Sequence, residues 1–202
     1  MMAQGVRTRT PTRQRGQSLV EFAISSLVLL LLLMGLLDLS RAFYFAVNLQ
    51  GAAREGARHG AWFDTATRAN KYLDDDDIML AVDQALAGAG FNGTNLPLPI
   101  QVKTAGCLSP TDGNTFNNKP YAAGAVPAST GQLYVYICYT YPGGAIQKGS
   151  MPIPPTDSSW RLGDINVSLV MNFALVTPLI KNIFGNGIPL VYNEHFTIQG
   201  QP

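Results

Sequence analysis

The stretch Arg15-Gly16-Gln17-Ser18-Leu19-Val20-Glu21-Phe22 decides the fold of this chain. A basic segment ends there at Gly16, and one carboxylate, that of Glu21, stands at the head of a long apolar run. The run carries no charge from Phe22 to Leu37. Counted from Leu19, it rises roughly 28 Å as a helix, which is close to the hydrocarbon thickness of a bilayer. We therefore predict a membrane-spanning helix, because the core helix of a small soluble domain would keep a polar stripe.

The basic segment predicts the orientation of the helix. Excess positive charge beside a spanning helix stays on the cytoplasmic side, and this segment contains no acidic residue to offset its arginines. Basic residues also follow the helix, where Asp38 and Glu55 partly offset them. We expect a cytoplasmic leader over 1–16, a membrane span over 17–38, a continuation of the helix over 39–63 and one extracytoplasmic α+β domain over 64–202.

Beyond the span, the helical pattern continues into a segment of small residues. Ala52, Gly56 and Gly60 are spaced four apart and share one helix face. Glycine costs a helix about 1 kcal/mol relative to alanine, so we expect these positions where another surface approaches the backbone closely. We predict that this face packs against a sheet or a neighbouring subunit. The alternative is a helix that frays into a loop at Gly60; in both cases the helix ends between Gly60 and Phe63.

A run of four aspartates, Asp74 to Asp77, precedes a stretch with helical periodicity. Aspartates at a helix start accept hydrogen bonds from free N–H groups and suit the helix dipole. They also resemble calcium ligands, but the glycine-containing loop and distal glutamate of an EF-hand are missing. We predict a capped helix that ends at the glycines beginning with Gly88.

The chain after Gly93 alternates apolar and polar residues with a period of two. Three long segments, 133–141, 165–175 and 188–198, follow this pattern, and a shorter one lies near 100–104. They predict an antiparallel sheet with one buried face, interrupted by a short helical turn between Thr177 and Gly185. The fold class is α+β, with a long N-terminal helix packed on a small sheet.

Two cysteines, Cys107 and Cys138, both follow the predicted span. An even count beyond a membrane segment indicates one disulfide in an oxidising compartment, and closing that loop would stabilise the fold by roughly 3–4 kcal/mol. The alternative is a pair of unpaired thiols in a core. Neither cysteine has a histidine or another cysteine near it in the sequence, which argues against a metal site.

The composition argues against several functions. A net charge of +1 on 202 residues gives no sign of a nucleic-acid surface. The two histidines, His59 and His195, stand apart from any catalytic motif, so we predict no enzyme, no cofactor and no metal. One rival function is a membrane-tethered or secreted binding module. Its binding surface would be an aromatic platform of Tyr134, Tyr136, Tyr139 and Tyr141.

The motif Gly16-Gln17-Ser18-Leu19-Val20-Glu21 resembles a type IV prepilin processing site. With Asp38-Leu39-Ser40-Arg41-Ala42 and Ala52-Ala53-Arg54-Glu55-Gly56-Ala57-Arg58, it is similar to the TadE-like family of the Flp (tight adherence) pilus system. The resemblance covers about Arg15 to Ala61. At Gln17 this chain departs from the phenylalanine that many type IV pilins carry, which bears on amino-terminal methylation.

The resemblance implies a pilin-like fold and a role in pilus assembly. A prepilin peptidase would cut between Gly16 and Gln17, and Glu21 would become the fifth residue of the mature chain. Its carboxylate would then pair with the free amine of a neighbouring subunit; the alternative is a glutamate hydrated by head groups. The implied partners are the peptidase, other pilin or pseudopilin subunits, the assembly machinery and the bacterial inner membrane. A signal peptide cut after Ala42 is the rival reading of the N-terminus.

Overall fold

One long helix forms the N-terminal part of the molecule. The computed structural model describes residues 16–66, 68–88, 101–102, 126–143, 146–148, 159–185 and 187–199. Helix α1 runs from Gln17 to Gly60, 44 residues, and so measures about 66 Å. The backbone N–H of Ala61 donates to the carbonyl of Ala57 and closes the last turn. The predicted helix end, between Gly60 and Phe63, is confirmed.

The two halves of α1 have different surroundings. In the most apolar stretch of 18 residues, no residue is buried against the described part of the protein. The second half packs on the domain through one face with the helical spacing of three and four. The buried residues of this face are Leu49, Ala52, Ala53, Gly56, Ala57 and Gly60.

A short hairpin leads from α1 to a second helix. Strand β1 (Phe63–Asp64) pairs antiparallel with β2 (Ala69–Asn70), and helix α2 spans Asp75–Gly88. The carboxylate of Asp74 accepts a hydrogen bond from the Asp77 backbone N–H at 3.2 Å, as an N-cap does. The predicted helix start at the aspartates and end at Gly88 are confirmed, and α2 lies against α1.

A five-stranded sheet completes the α+β fold. Its strands are β3 (Gln101–Val102), β4 (Leu133–Thr140), β5 (Ile146–Lys148), β6 (Asp164–Ala174) and β7 (Gly187–Thr197). The order is β3-β4-β6-β7, with β5 also paired to β4. The predicted antiparallel arrangement is confirmed for β4, β5, β6 and β7, whereas β3 pairs parallel to β4.

The sheet is buried more completely than an alternating pattern predicts. One face carries Leu133, Ile137, Val167 and Leu169 into the core beneath α1 and α2. The opposite face of β4 and β6 is also buried, with a second cluster around Tyr136 and Val170. The expectation of a single buried face was therefore wrong for these two central strands, whose polar positions are covered as well as their apolar ones.

Helix α3 (Pro178–Phe184) connects β6 to β7. Proline occupies its first turn, where the missing N–H is no loss, and Gly185 ends it with φ of +84°. The helical turn predicted between Thr177 and Gly185 is confirmed. The predicted disulfide stays a prediction, because Cys107 lies outside the described residues, while Cys138 is buried in β4.

Candidate functional site

The predicted processing motif lies at the boundary where α1 begins. Gly16 precedes the first helical residue, Gln17, and its carbonyl accepts the first helical hydrogen bond, from the Val20 N–H at 3.3 Å. The side-chain amide of Gln17 donates to Oε1 of Glu21 at 3.3 Å, one helical turn away. Both side chains are exposed, so the carboxylate receives a neutral donor within the chain.

At the other end of the apolar half, α1 carries a buried carboxylate. Asp38 is 4% exposed. It accepts hydrogen bonds from the backbone N–H of Val176 at 3.0 Å and of Thr177 at 2.8 Å, the two residues before α3. Nη1 of Arg41 lies 3.4 Å from Oδ1 of the same carboxylate. Asp38 therefore fastens the β6–α3 turn to α1.

Further contacts support this junction. The hydroxyl of Thr177 donates to the carbonyl of Met34 at 3.3 Å, and the Arg41 guanidinium lies 5.3 Å from the centre of the Phe173 ring. A largely apolar groove of about 360 Å³ runs between α1 and the turn. Its lining residues are Met34, Leu37, Asp38, Arg41, Val176, Thr177 and Pro178.

No sequence pattern predicts a role for Asp38, which belongs to the family motif and is the first charge after the apolar run. Two features of the sequence could have pointed to this contact. One is a carboxylate directly after an uncharged run, and the other is Thr177-Pro178, a typical helix start much later in the chain. No periodicity connects two positions so far apart, so their contact was not predictable.

The ridge of small residues faces the interior of this chain's own domain. A methyl group at Gly56 would lie 2.5 Å from Cγ2 of Val82, and one at Gly60 would lie 2.8 Å from Cδ1 of Ile78, both on α2. At Gly60 it would also collide with Cδ1 of Ile165 on β6. The structure thus brings α1 onto both α2 and the sheet at these glycines, and Ala52 is buried on the same face.

An N-terminal segment of the chain corresponds to a known family. The model of the TadE-like protein family matches residues 16–58. This segment is TadE-like. The resemblance read from Arg15 to Ala61 is confirmed. The TadE-like segment includes the Gly16–Glu21 motif, the apolar half of α1, Asp38 and most of the small-residue ridge. No curated protein and no solved structure matches the chain.

The TadE-like match relates the chain to a minor pilin of the Tad pilus, and the family is not one of enzymes. One long N-terminal apolar helix also fits a single-pass membrane anchor. Among the described residues, no group of three or more His, Cys, Asp and Glu side chains could hold a metal ion.

A cluster of ionisable groups joins the two long helices of the domain. Asp77 on α2 binds Nζ of Lys71 at 2.8 Å and Nε2 of His59 at 3.1 Å, and these contacts lower the pKa of Asp77. The same pair raises the pKa of Lys71. This cluster joins α1, the hairpin and α2, beside an open groove of about 510 Å³.

Two buried acids lie close to the sheet. The hydroxyl of Tyr139 donates to Oδ1 of Asp75 at 2.8 Å, and burial, with Asp75 next in effect, raises the pKa of Tyr139 well above its usual value. Burial also raises the pKa of Asp164 to about 7, and Nδ1 of His195 lies 3.5 Å from that carboxylate. In the described part of the chain, His59 thus pairs with Asp77 and His195 with Asp164, at separate places.

The four tyrosines of the suggested aromatic platform do not share a surface. Tyr134 and Tyr136 lie on one face of β4, and Tyr136 is 3% exposed. Tyr139 lies on the opposite face and is fully buried, while Tyr141 packs edge-on against Trp160. These four residues therefore do not form the platform that the rival binding module would need, because strand residues an odd number of positions apart point to opposite faces.

Proposed function

We propose that this chain is a pseudopilin or minor pilin that takes part in assembling a Flp-type, tight adherence pilus. The observation that carries the proposal is a TadE-like helix whose first half is exposed and apolar and whose second half is packed in a folded domain. This is a pilin-like layout. The exposed half suits lipid before assembly and the helices of neighbouring subunits afterwards, since both are apolar surroundings.

The proposed location is the bacterial inner membrane, with the domain facing away from the cytoplasm. The arginine-rich residues before Gly16 support this orientation. The proposed partners are the bilayer, other pilin or pseudopilin subunits and the assembly machinery. Protease added to spheroplasts should digest the domain; complete protection would contradict the orientation.

We expect a prepilin peptidase to cut between Gly16 and Gln17. Replacing Gly16 with leucine should leave only the uncut form, because a bulky side chain would stand at the scissile bond. Amino-terminal sequencing and gel mobility measure the result. Gly51→Leu is the matched control, since Gly51 lies within α1 and no atom of the described residues is within 4 Å of an added methyl group, and it should be processed normally. A normal mature band from Gly16→Leu would refute the site.

Amino-terminal sequencing also separates this function from the rival secreted module. A mature chain that begins at Gln17 supports pilin processing, and one that begins at Phe43 supports a signal peptide. The contacts of Asp38 with Val176 and Thr177 favour the first outcome, because a cut after Ala42 would remove their acceptor. An intact leader would indicate a plain membrane anchor.

The proposed role of Glu21 is to pair with the amine of a neighbouring mature subunit. An unpaired buried charge typically costs 3–5 kcal/mol, so loss of one partner should weaken subunit contacts strongly. Glu21→Ala should insert into the membrane normally and reduce pilus assembly, as measured by membrane fractionation and counts of surface pili. Asp83→Ala removes an exposed carboxylate of α2, beyond the span, and should assemble. Normal pili from Glu21→Ala would eliminate this role.

We also propose that Cys107 and Cys138 form a disulfide, as expected for a domain outside the cytoplasm. The support is the even cysteine count and the lack of a free cysteine in the described part of the chain. Mass mapping without reductant should recover the two cysteines in one linked peptide pair. Recovery of both as alkylated thiols would exclude the bond.

A further inference from the structure

The turn before α3 lies level with the end of the apolar half of α1. Thr177 contacts Met34 through its hydroxyl, and both Val176 and Thr177 bind Asp38. A methyl group on Gly35 would lie 3.6 Å from Cδ1 of Ile180, so the first turn of α3 reaches the same level. This part of the domain therefore extends down beside residues 34–38 of α1.

The length of α1 puts that level inside a bilayer. The helical rise from Glu21 to Asp38 is about 26 Å, less than the roughly 30 Å of a hydrocarbon core. If Glu21 lies at one edge of the core, then Asp38 lies just inside the other edge. A protein segment held beside residues 34–38 cannot then remain in water.

The chemistry of the turn suits this position. Backbone N–H groups in lipid need an acceptor within the protein, and the residues before a helix have none within that helix. Asp38 supplies the acceptor for Val176 and Thr177, and Pro178, the next residue, has no N–H to satisfy. The charge of Asp38 is offset by these donors and by Arg41.

The outer surface of the turn is apolar where lipid would meet it. The side chain of Val176 is 62% exposed, and Leu37 beside it is 59% exposed. Both line the apolar groove, and on its α1 side Met34 and Leu37 belong to the exposed apolar surface of the helix. Lys181 follows on α3, and its long side chain can carry the ammonium group to the phosphate level.

We propose that Val176, Thr177 and α3 form a membrane foot: a second contact of the domain with the phospholipid bilayer, in the leaflet on the domain side. The foot rests on the proposed membrane anchoring of α1. Asp38 is its positioning residue, because it accepts hydrogen bonds from the backbone N–H groups of the turn at a depth where water is absent. The foot gives the domain a contact with the membrane in addition to that of α1.

Tryptophan depth probes in the full chain test the foot. Val176→Trp, Leu36→Trp and Leu80→Trp are reconstituted into vesicles of phosphatidylethanolamine and phosphatidylglycerol, with or without brominated acyl chains. All three positions are exposed in the protein, and Leu80 lies on α2, far from the span. Native Trp62 and Trp160 also fluoresce, and their background emission is measured with the unsubstituted chain.

The foot predicts that brominated lipid quenches Val176→Trp to nearly the same extent as Leu36→Trp, while Leu80→Trp keeps its emission. If Leu36→Trp is quenched and Val176→Trp behaves like Leu80→Trp, the foot is wrong and the anchor stands. If Leu36→Trp is not quenched, the membrane anchoring itself fails, and the foot with it. Lys181→Trp carries the same comparison if Val176→Trp does not fold.

Discussion

Gly60→Leu is expected to lower the free energy of unfolding of this chain by about 3 kcal/mol, at the upper end of the usual cost of overpacking. Even a single methyl group at this position would collide with Cδ1 of Ile165 and lie 2.8 Å from Cδ1 of Ile78. Both isoleucines are fully buried. To admit a leucine, α1 must therefore separate from α2 and β6.

Denaturant unfolding of the full chain in detergent measures the effect. Trp160 is a suitable reporter, because it is buried and packs beside Tyr72 and Tyr141. Gly51→Leu is the matched control, because no atom of the described residues lies within 4 Å of a methyl group added there. It should be neutral or stabilise by up to about 1 kcal/mol through helix propensity. Equal midpoints for the two variants would contradict the packing described for Gly60.

Asp38→Ala is expected to free the β6–α3 turn from α1. The substitution leaves the N–H groups of Val176 and Thr177 without an acceptor, and each buried unsatisfied group costs about 1–3 kcal/mol. It also removes the acidic partner of Arg41. If the free energy of opening the turn falls by about 2–4 kcal/mol, the hydrogen-exchange protection of these amides falls roughly 30- to 1000-fold.

Hydrogen exchange of the Val176 and Thr177 amides reports this opening directly. Asp38→Asn keeps one acceptor oxygen and should lose less protection than Asp38→Ala. Asp83→Ala, which removes an exposed carboxylate from α2, should change neither amide. Unchanged protection in Asp38→Ala would show that the turn does not depend on this carboxylate.

The regular elements were predictable because each depends on local pattern. Uncharged leucines predict α1, the aspartate at position 74 predicts the start of α2, and alternation predicts β4, β6 and β7. The parallel pairing of β3 was not predictable, because two residues carry too little pattern to specify a direction. The burial of both faces of β4 and β6 depends on the residues that cover them, and the alternation of apolar and polar residues does not identify those residues.

The candidate site likewise has parts that the sequence predicts and parts that it does not. Gly16, Gln17 and Glu21 are neighbours in sequence, so helical geometry alone brings Gln17 and Glu21 together. The small-residue ridge was also visible as a spacing of four. The spacing alone does not show whether the ridge faces another subunit or its own domain. In the structure, Val82, Ile78 and Ile165 of the same chain pack against it.

By itself, the amino-acid sequence determined the long helix, its length relative to a bilayer, the TadE-like motif and the α+β class, because these depend on residues close together in the chain. Only the tertiary structure decided that Asp38 binds the turn before α3 and that this turn lies level with the apolar half of α1. Those contacts join residues 138 and 139 positions apart. They exist because β6 and α1 pack in one core, which sequence periodicity cannot specify.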